Sequence, residues 1–187
     1  MISDSFIGEI LDAYRDQKLL PERAAAQVSD AEFFATTRAG TPSIAIVMKH
    51  VGGNLRSRWR DFLTTDGEKA DRHRDREFET EGLSRAEIEA MWNEGWRIAL
   101  ETLASLEPAD LERRVTIRGE PHGVVRAILR NLAHSAYHAG QIIQLARHFK
   151  GDQWQSLSVP LGQSEAHNAS MRARFGDWLT EPEQRSR

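Results

Sequence analysis

The segment His134-Ser135-Ala136-Tyr137-His138 sets two imidazoles four residues apart. On a helix that is about one turn, which brings their Cβ atoms to roughly 5–6 Å on one face. Two ring nitrogens so placed can converge on one metal ion at about 2.0–2.1 Å each. Taken alone, the signal is weak: a pair at this spacing is more often solvated or structural than metal-binding. Stepping about 100° per residue along this helix puts Arg126, Arg130, Gln144 and His148 on a polar side. Val124, Ile128, Leu132, Ala139, Ile142 and Ala146 fall on the opposite one. His138 comes at the inner edge, near Leu145 and Phe149, and His134 nearer the boundary. Buried imidazoles need partners for their nitrogens, and a shared metal supplies one. His50, on an earlier helix, is the third candidate ligand. It is offset from that helix's apolar stripe toward Ile46 and Asn54, but Ile44 to Met48 is apolar nearly all round, so this half reads as buried on several sides. The alternative for His50 is a core histidine bonded to a main-chain carbonyl.

Several familiar metal chemistries are excluded. Residue 135 is serine, so this is not the zinc-protease His-Glu-x-x-His helix. No histidine has a glutamate three residues before it, so the Glu-x-x-His pairs of di-iron bundles are missing. There are no cysteines, which removes disulfides, thiolate ligands and a cysteine nucleophile; any thiol must come from outside. One divalent ion on three histidines is what remains. Three protein ligands with open positions is the pattern of a reactive metal rather than a structural one. Asn54, Asn131, Tyr137 and Gln141 stand close in sequence to the ligands and could orient the imidazoles or serve helix packing. No acid or base stands out, so no catalytic residue is assigned. His73, His122, His148 and His167 read as solvated or structural.

Four long helices must position these groups. The first runs from about Ser5 to Val28, with a kink or break expected at Pro21, which lacks a backbone donor and crowds the preceding turn. The second is capped by Thr41 with Pro42 in its first turn, and carries Ile44, Val47, Met48, Val51, Leu55, Trp59 and Phe62 as its stripe. Gly52 and Gly53 inside it either admit a neighbouring helix closely or weaken the helix. The third opens on a Ser84–Glu87 capping box and ends at Pro108. Alternating Val115 and Ile117, followed by Gly119, suggest a short extended piece or hairpin. The fourth helix spans about Val124 to Phe149, closed by Gly151 and Asp152. The tail has no clean period until Met171 to Leu179, a candidate short helix. Residues 66–81 are dense in charges of both signs. They read as a solvated loop or as a segment whose Arg72, His73, Arg74 or Arg76 reaches over a pocket mouth.

The chain's 187 residues suit one domain, 1–187, with a single core. A net charge of -3 argues against a nucleic-acid surface. No apolar run approaches the roughly 20 residues of a membrane span, and the N-terminus lacks a signal pattern, so a cytoplasmic location is expected.

His50 on a second helix, with His134, Tyr137-His138 and Gly140-Gln141 on a fourth, resembles the DinB/YfiT-like superfamily of metal-binding four-helix bundles. More narrowly, the chain is similar to a bacterial branch of unknown function. Matching stretches are Asn54-Leu55-Arg56-Ser57-Arg58, Asp61-Phe62-Leu63-Thr64-Thr65-Asp66-Gly67-Glu68-Lys69, and Leu157-Ser158-Val159-Pro160 with Gly162, Ser164 and Asn168. The resemblance implies an all-α, up-down-down-up four-helix bundle with the hairpin before the last long helix and a C-terminal tail. It further implies a three-histidine site for zinc or nickel, with iron, manganese or copper as alternatives, and a homodimer. Relatives include transferases and isomerases that use low-molecular-weight thiols. The expected activity is therefore a metal-dependent transfer of a small thiol to an electrophilic small molecule. A metal-dependent hydrolase and a non-catalytic metal-binding stress or structural protein are the alternatives.

Overall fold

Serine side chains decide where three of the helices begin. The computed structural model describes residues 2–176. In it Ser29 and Ser84 each accept from the backbone N–H three residues on, while Glu32 and Glu87 reach back to the serine N–H; both are complete capping boxes. They open α2 (Asp30–Phe34) and α4 (Arg85–Ala104). Ser43 caps α3 (Ile44–Trp59) by accepting from Ile46 N. The expected cap, Thr41, instead closes its own turn, accepting from Arg38 N at 3.2 Å and donating to Arg38 O at 2.6 Å.

The first helix, α1 (Ile2–Ala25), carries Pro21 inside it without interruption. The proline is buried, and the turn that holds it is anchored from outside. Glu22 pairs with Lys18 and accepts Trp92 Nε1–H at 2.8 Å. Packing of that turn offsets the missing backbone donor. The helix stops a turn short of Val28, where Gln27 and Val28 donate to the carbonyls three residues back. Arg85 seals this end, donating to Ala25 O at 2.9 Å and Val28 O at 3.0 Å while its guanidinium covers Phe33.

Helix α3 packs on α4 and α5, and α1 packs on α4 and α5. The α3–α4 contact is close because Gly52 meets Gly95. A Cβ on Gly52 would lie 2.6 Å from the Met91 carbonyl oxygen, so Gly52 serves close approach, one of the two expectations, whereas Gly53 faces the Glu77 side chain. The core is strongly aromatic, with Tyr14, Trp59, Trp92, Trp96 and Phe33 almost fully buried.

Strands β1 (Arg114–Ile117) and β2 (Glu120–Gly123) form the expected hairpin, antiparallel, with Val115 opposite His122. Its two-residue turn, Arg118-Gly119, has positive φ at both positions, 56° and 77°, the backbone of the primed turns that match strand twist. Asp66 explains how a non-glycine residue is held there: its carboxylate accepts from Arg118 N and Gly119 N, each at 2.8 Å. The hairpin leads into α5 (Val124–Lys150), which ends at Gly151 with φ 50°.

The protein among the described residues is thus mostly helical with one small two-stranded sheet. No described helix is long and apolar enough to cross a membrane. Contacts divide the chain into two compact units, Met1–Gln153 and the segment from Trp154 onward. The second unit contains α6 (Ser164–Phe175), with no buried residue. It covers the start of the expected 171–179 helix; the last residues of that expectation lie outside the described ones.

Candidate metal centre

Helix α5 presents His134 and His138 on one face, and α3 brings His50 against them. His134 Nε2 lies 3.2 Å from His138 Nε2 and 3.4 Å from His50 Nε2. The three potential ligand atoms fall within 4.8 Å of one another. The three rings meet edge to face, with centroids 4.5–5.4 Å apart.

The outer nitrogens show which way the rings are polarised. His50 Nδ1 sits 2.8 Å from Glu77 Oε2, and His138 Nδ1 sits 2.7 Å from Gln141 Oε1. Glu77 is held as a carboxylate: burial pulls its pKa up, but the bonds from His50 and Arg72 outweigh it and keep it below the usual range. An ionised carboxylate and an amide oxygen only accept, so both imidazoles carry their protons on Nδ1. Their Nε2 lone pairs then face inward, toward each other and toward His134. Burial, with smaller contributions from His138 and His50, lowers the His134 pKa to about 3. Burial also lowers that of His138. At neutral pH these two rings are uncharged and can act as ligands. Lone pairs crowded this closely repel, and a cation among them turns that repulsion into coordination. This is the carboxylate–histidine arrangement that orients metal-bound imidazoles.

Glu77 is the residue the sequence did not single out. It lies in a 3-10 turn, Arg74–Phe78, within the charged 66–81 segment, and is only 7% exposed. Arg72 clamps it with two parallel bonds, Nε to Oε1 at 2.8 Å and Nη2 to Oε2 at 2.9 Å, the bidentate geometry that fixes a carboxylate most firmly. The neighbouring Phe78 ring covers His50 at 4.9 Å. His50, offset from its stripe, is thereby 5% exposed: the 3-10 turn buries it.

The polar residues near the ligands separate into two groups. Gln141 touches His138 directly, and its amide donates to Tyr137 Oη at 3.3 Å, while the Tyr137 ring packs on His138 at 4.8 Å. Asn54 and Asn131 bond each other instead, Asn131 Nδ2 to Asn54 Oδ1 at 3.0 Å. Asn131 Oδ1 also accepts from Trp59 Nε1 at 2.9 Å, with the Tyr14 hydroxyl 3.2 Å away. That network ties α1, α3 and α5 together beneath the histidines, and no imidazole takes part in it. Of the other histidines, His148 and His167 are exposed, and His122 is buried on β2. A cavity of about 200 Å³ adjoins the cluster, lined by His50 and His134 and, from the charged segment, by Arg72 and Arg74. His73 and Arg76 line a different hollow, against α3 and α4.

No curated protein and no solved structure matches the chain. One family does, over residues 1–163, and the chain belongs to it: the family described as "Protein of unknown function (DUF1572)".

Proposed function

We propose that His50, His134 and His138 hold one divalent metal ion, zinc or nickel before iron, manganese or copper, in a metal-dependent enzyme of DinB/YfiT-like four-helix-bundle type. The observation that carries this is the inward convergence of three Nε2 atoms, with Glu77 and Gln141 fixing two of the rings from behind. Imidazole suits all of these metals except manganese best. Three histidines leave coordination positions open, as reactive sites do. A thiol coordinated to such an ion is ionised outright, which supplies a nucleophile to a chain that has no cysteine. The preferred reaction is transfer of a low-molecular-weight thiol to an electrophilic small molecule, in a cytoplasmic homodimer. Within this site Glu77 keeps the His50 proton on Nδ1, Gln141 does the same for His138, and Tyr137 bounds the His138 side.

The test is elemental analysis of untagged protein and of His50→Ala, His134→Ala and His138→Ala. Near-stoichiometric metal in the parent and loss in each variant is expected; full occupancy in all three variants refutes the site. Turnover with glutathione, bacillithiol and mycothiol against a panel of electrophiles separates thiol transfer from its alternatives. Hydrolysis of esters or amides without thiol would make the enzyme a metal-dependent hydrolase. Silence in every panel, with a melting temperature that depends on the metal, would leave a structural metal-binding protein.

A further inference from the structure

The cavity beside the histidines is built from positive charge. Arg58, Arg72, Arg74, Arg118 and Arg130 all line it. The carboxylates ion-paired with them are Glu68, shared by Arg58, Arg72 and Arg118; Glu77, held by Arg72; and Asp75, which is 98% exposed, beside Arg74. Five guanidinium groups thus face three carboxylates, a surplus of two positive charges around a space of about 200 Å³.

Two of the arginines stand apart from the rest. The Arg58 side chain is only 10% exposed. Its Nη1 lies 3.2 Å from Glu68 Oε2 but is not aligned to bond it, so this buried N–H has no hydrogen-bond partner. An unsatisfied buried donor on a charged group is costly, by more than the roughly 1–3 kcal/mol of a neutral one, and calls for an acceptor. Arg130 makes no ion pair among the described residues. Both lie in register with the histidines. His50, Asn54 and Arg58 follow at four-residue steps on α3, as Arg130, His134 and His138 do on α5. Each step is about 6 Å along a helix axis. Arg130 is therefore one turn from His134, and Arg58 two turns from His50.

We propose that this cavity binds the oxyanion, carboxylate or phosphate, of a small-molecule substrate, with Arg58 and Arg130 as its clamps, while the rest of that molecule reaches the three histidines. The inference rests on the metal-site reading for the role of the bound molecule, but the anion site itself does not need the metal. Guanidinium pairs carboxylate and phosphate with matched planar geometry. The surplus charge in a partly enclosed space favours an anion over a neutral analogue. The volume is below the roughly 300–1,000 Å³ of drug-sized sites, which fits a compact metabolite.

The full-length chain, freed of metal by chelation, is titrated calorimetrically at low salt with inorganic phosphate and with benzoate, and with benzamide as neutral control. Saturable binding of at least one anion is expected, at least tenfold tighter than benzamide. Arg130→Gln, at an exposed and unpaired position, should fold normally and weaken the anion at least fivefold; Arg58→Gln should weaken it at least tenfold. Phosphate alone or benzoate alone identifies which oxyanion the site prefers. No saturable binding of either anion, equal binding of benzamide, or a folded Arg130→Gln protein with the parent's affinity overturns the proposal. So does loss of metal from Arg130→Gln, since the arginine would then serve the histidines. Failure of the metal site is read separately, from the metal content of the histidine variants.

Discussion

Glu77 joins the charged segment to the histidines, and replacing it should weaken both the fold and the metal site by different amounts. Glu77→Ala leaves the Arg72 guanidinium, 5% exposed, with Glu68 as its remaining carboxylate. Glu68 Oε2 is already shared, 3.0 Å from Arg72 Nη1 and 3.2 Å from Arg58 Nη1. Removing one partner of a buried pair costs about 3–5 kcal/mol; with Glu68 still in place the lower end, about 3 kcal/mol, is expected. Glu77→Gln keeps the volume but offers one acceptor oxygen where the carboxylate satisfied His50 Nδ1 and two Arg72 nitrogens. It should cost about 1.5–3 kcal/mol, the range for hydrogen bonds to charged groups. Loss of such an outer partner lowers metal affinity by about 10–100-fold. Glu77→Gln should fall near tenfold, because an amide oxygen can still orient the His50 ring, and Glu77→Ala nearer a hundredfold. Urea unfolding of the metal-free chain reads the first effect, and zinc competition against a chromophoric chelator reads the second. Glu79→Gln, exposed in the same segment, should change neither. Parental zinc affinity in a folded Glu77→Gln protein would refute the reasoning, because His50 would then need no partner behind it.

Gly52→Ala should cost about 3 kcal/mol or more in urea unfolding, since its Cβ would meet the Met91 backbone at 2.6 Å and forced overpacking costs about 1–3 kcal/mol, occasionally more. Gly53→Ala should cost less, about 1–2 kcal/mol net of its helix-propensity gain, while lowering zinc affinity. Its Cβ would press on Glu77 Oε1 at 2.5 Å and push that carboxylate against the bonds from Arg72 and His50. Asp66→Ala removes the acceptor for Arg118 N, Gly119 N and Glu68 N and should cost about 1–3 kcal/mol, with loss of hydrogen-exchange protection confined to the hairpin turn and Glu68. The metal-free chain should lose stability as pH falls from about 6.5. Unfolded His134 titrates near 6.5 and the folded ring near 3, so the unfolded state takes up the proton first. The slope is up to about 1.4 kcal/mol per pH unit and should flatten in His134→Gln, as urea unfolding at pH 7, 6 and 5 would reveal.

Local signals that compete with nothing were legible in the sequence. The Ser84–Glu87 box starts α4 where expected, because both halves of that motif lie within four residues and no tertiary contact opposes them. The alternation around Val115 and Ile117 became a hairpin for the same reason. Misreadings came where distant groups overrode a local rule. Pro21 should interrupt a helix, yet its turn is held by Trp92, seventy residues away, through Glu22. Thr41 and Pro42 look like a helix start, but Ser43 is equally able to cap and sits next to the apolar run that α3 buries. A cap is chosen by where burial begins, which a propensity at one position does not encode.

The same distinction explains the site. His134 and His138 share a face by helical spacing alone, so their meeting could be read directly. His50 could not be placed by periodicity, because it is offset from the stripe of its own helix. Its burial comes from Glu77 and Phe78, in a segment whose composition reads as solvent-facing. Mixed charge is ambiguous: the same residues that solvate a loop can neutralise one another and be buried together. The Arg72 and Glu77 side chains follow the second course, with Glu68 half-buried beside them, because their bidentate and shared bonds satisfy nearly every donor. Arg72 and Arg74 of this segment line the cavity beside the histidines, together with Arg58, Arg118 and Arg130 from other elements. The charged segment therefore does more than solvate a loop: it holds Glu77 behind His50 and brings Arg72 and Arg74 to the wall of the space beside the histidines.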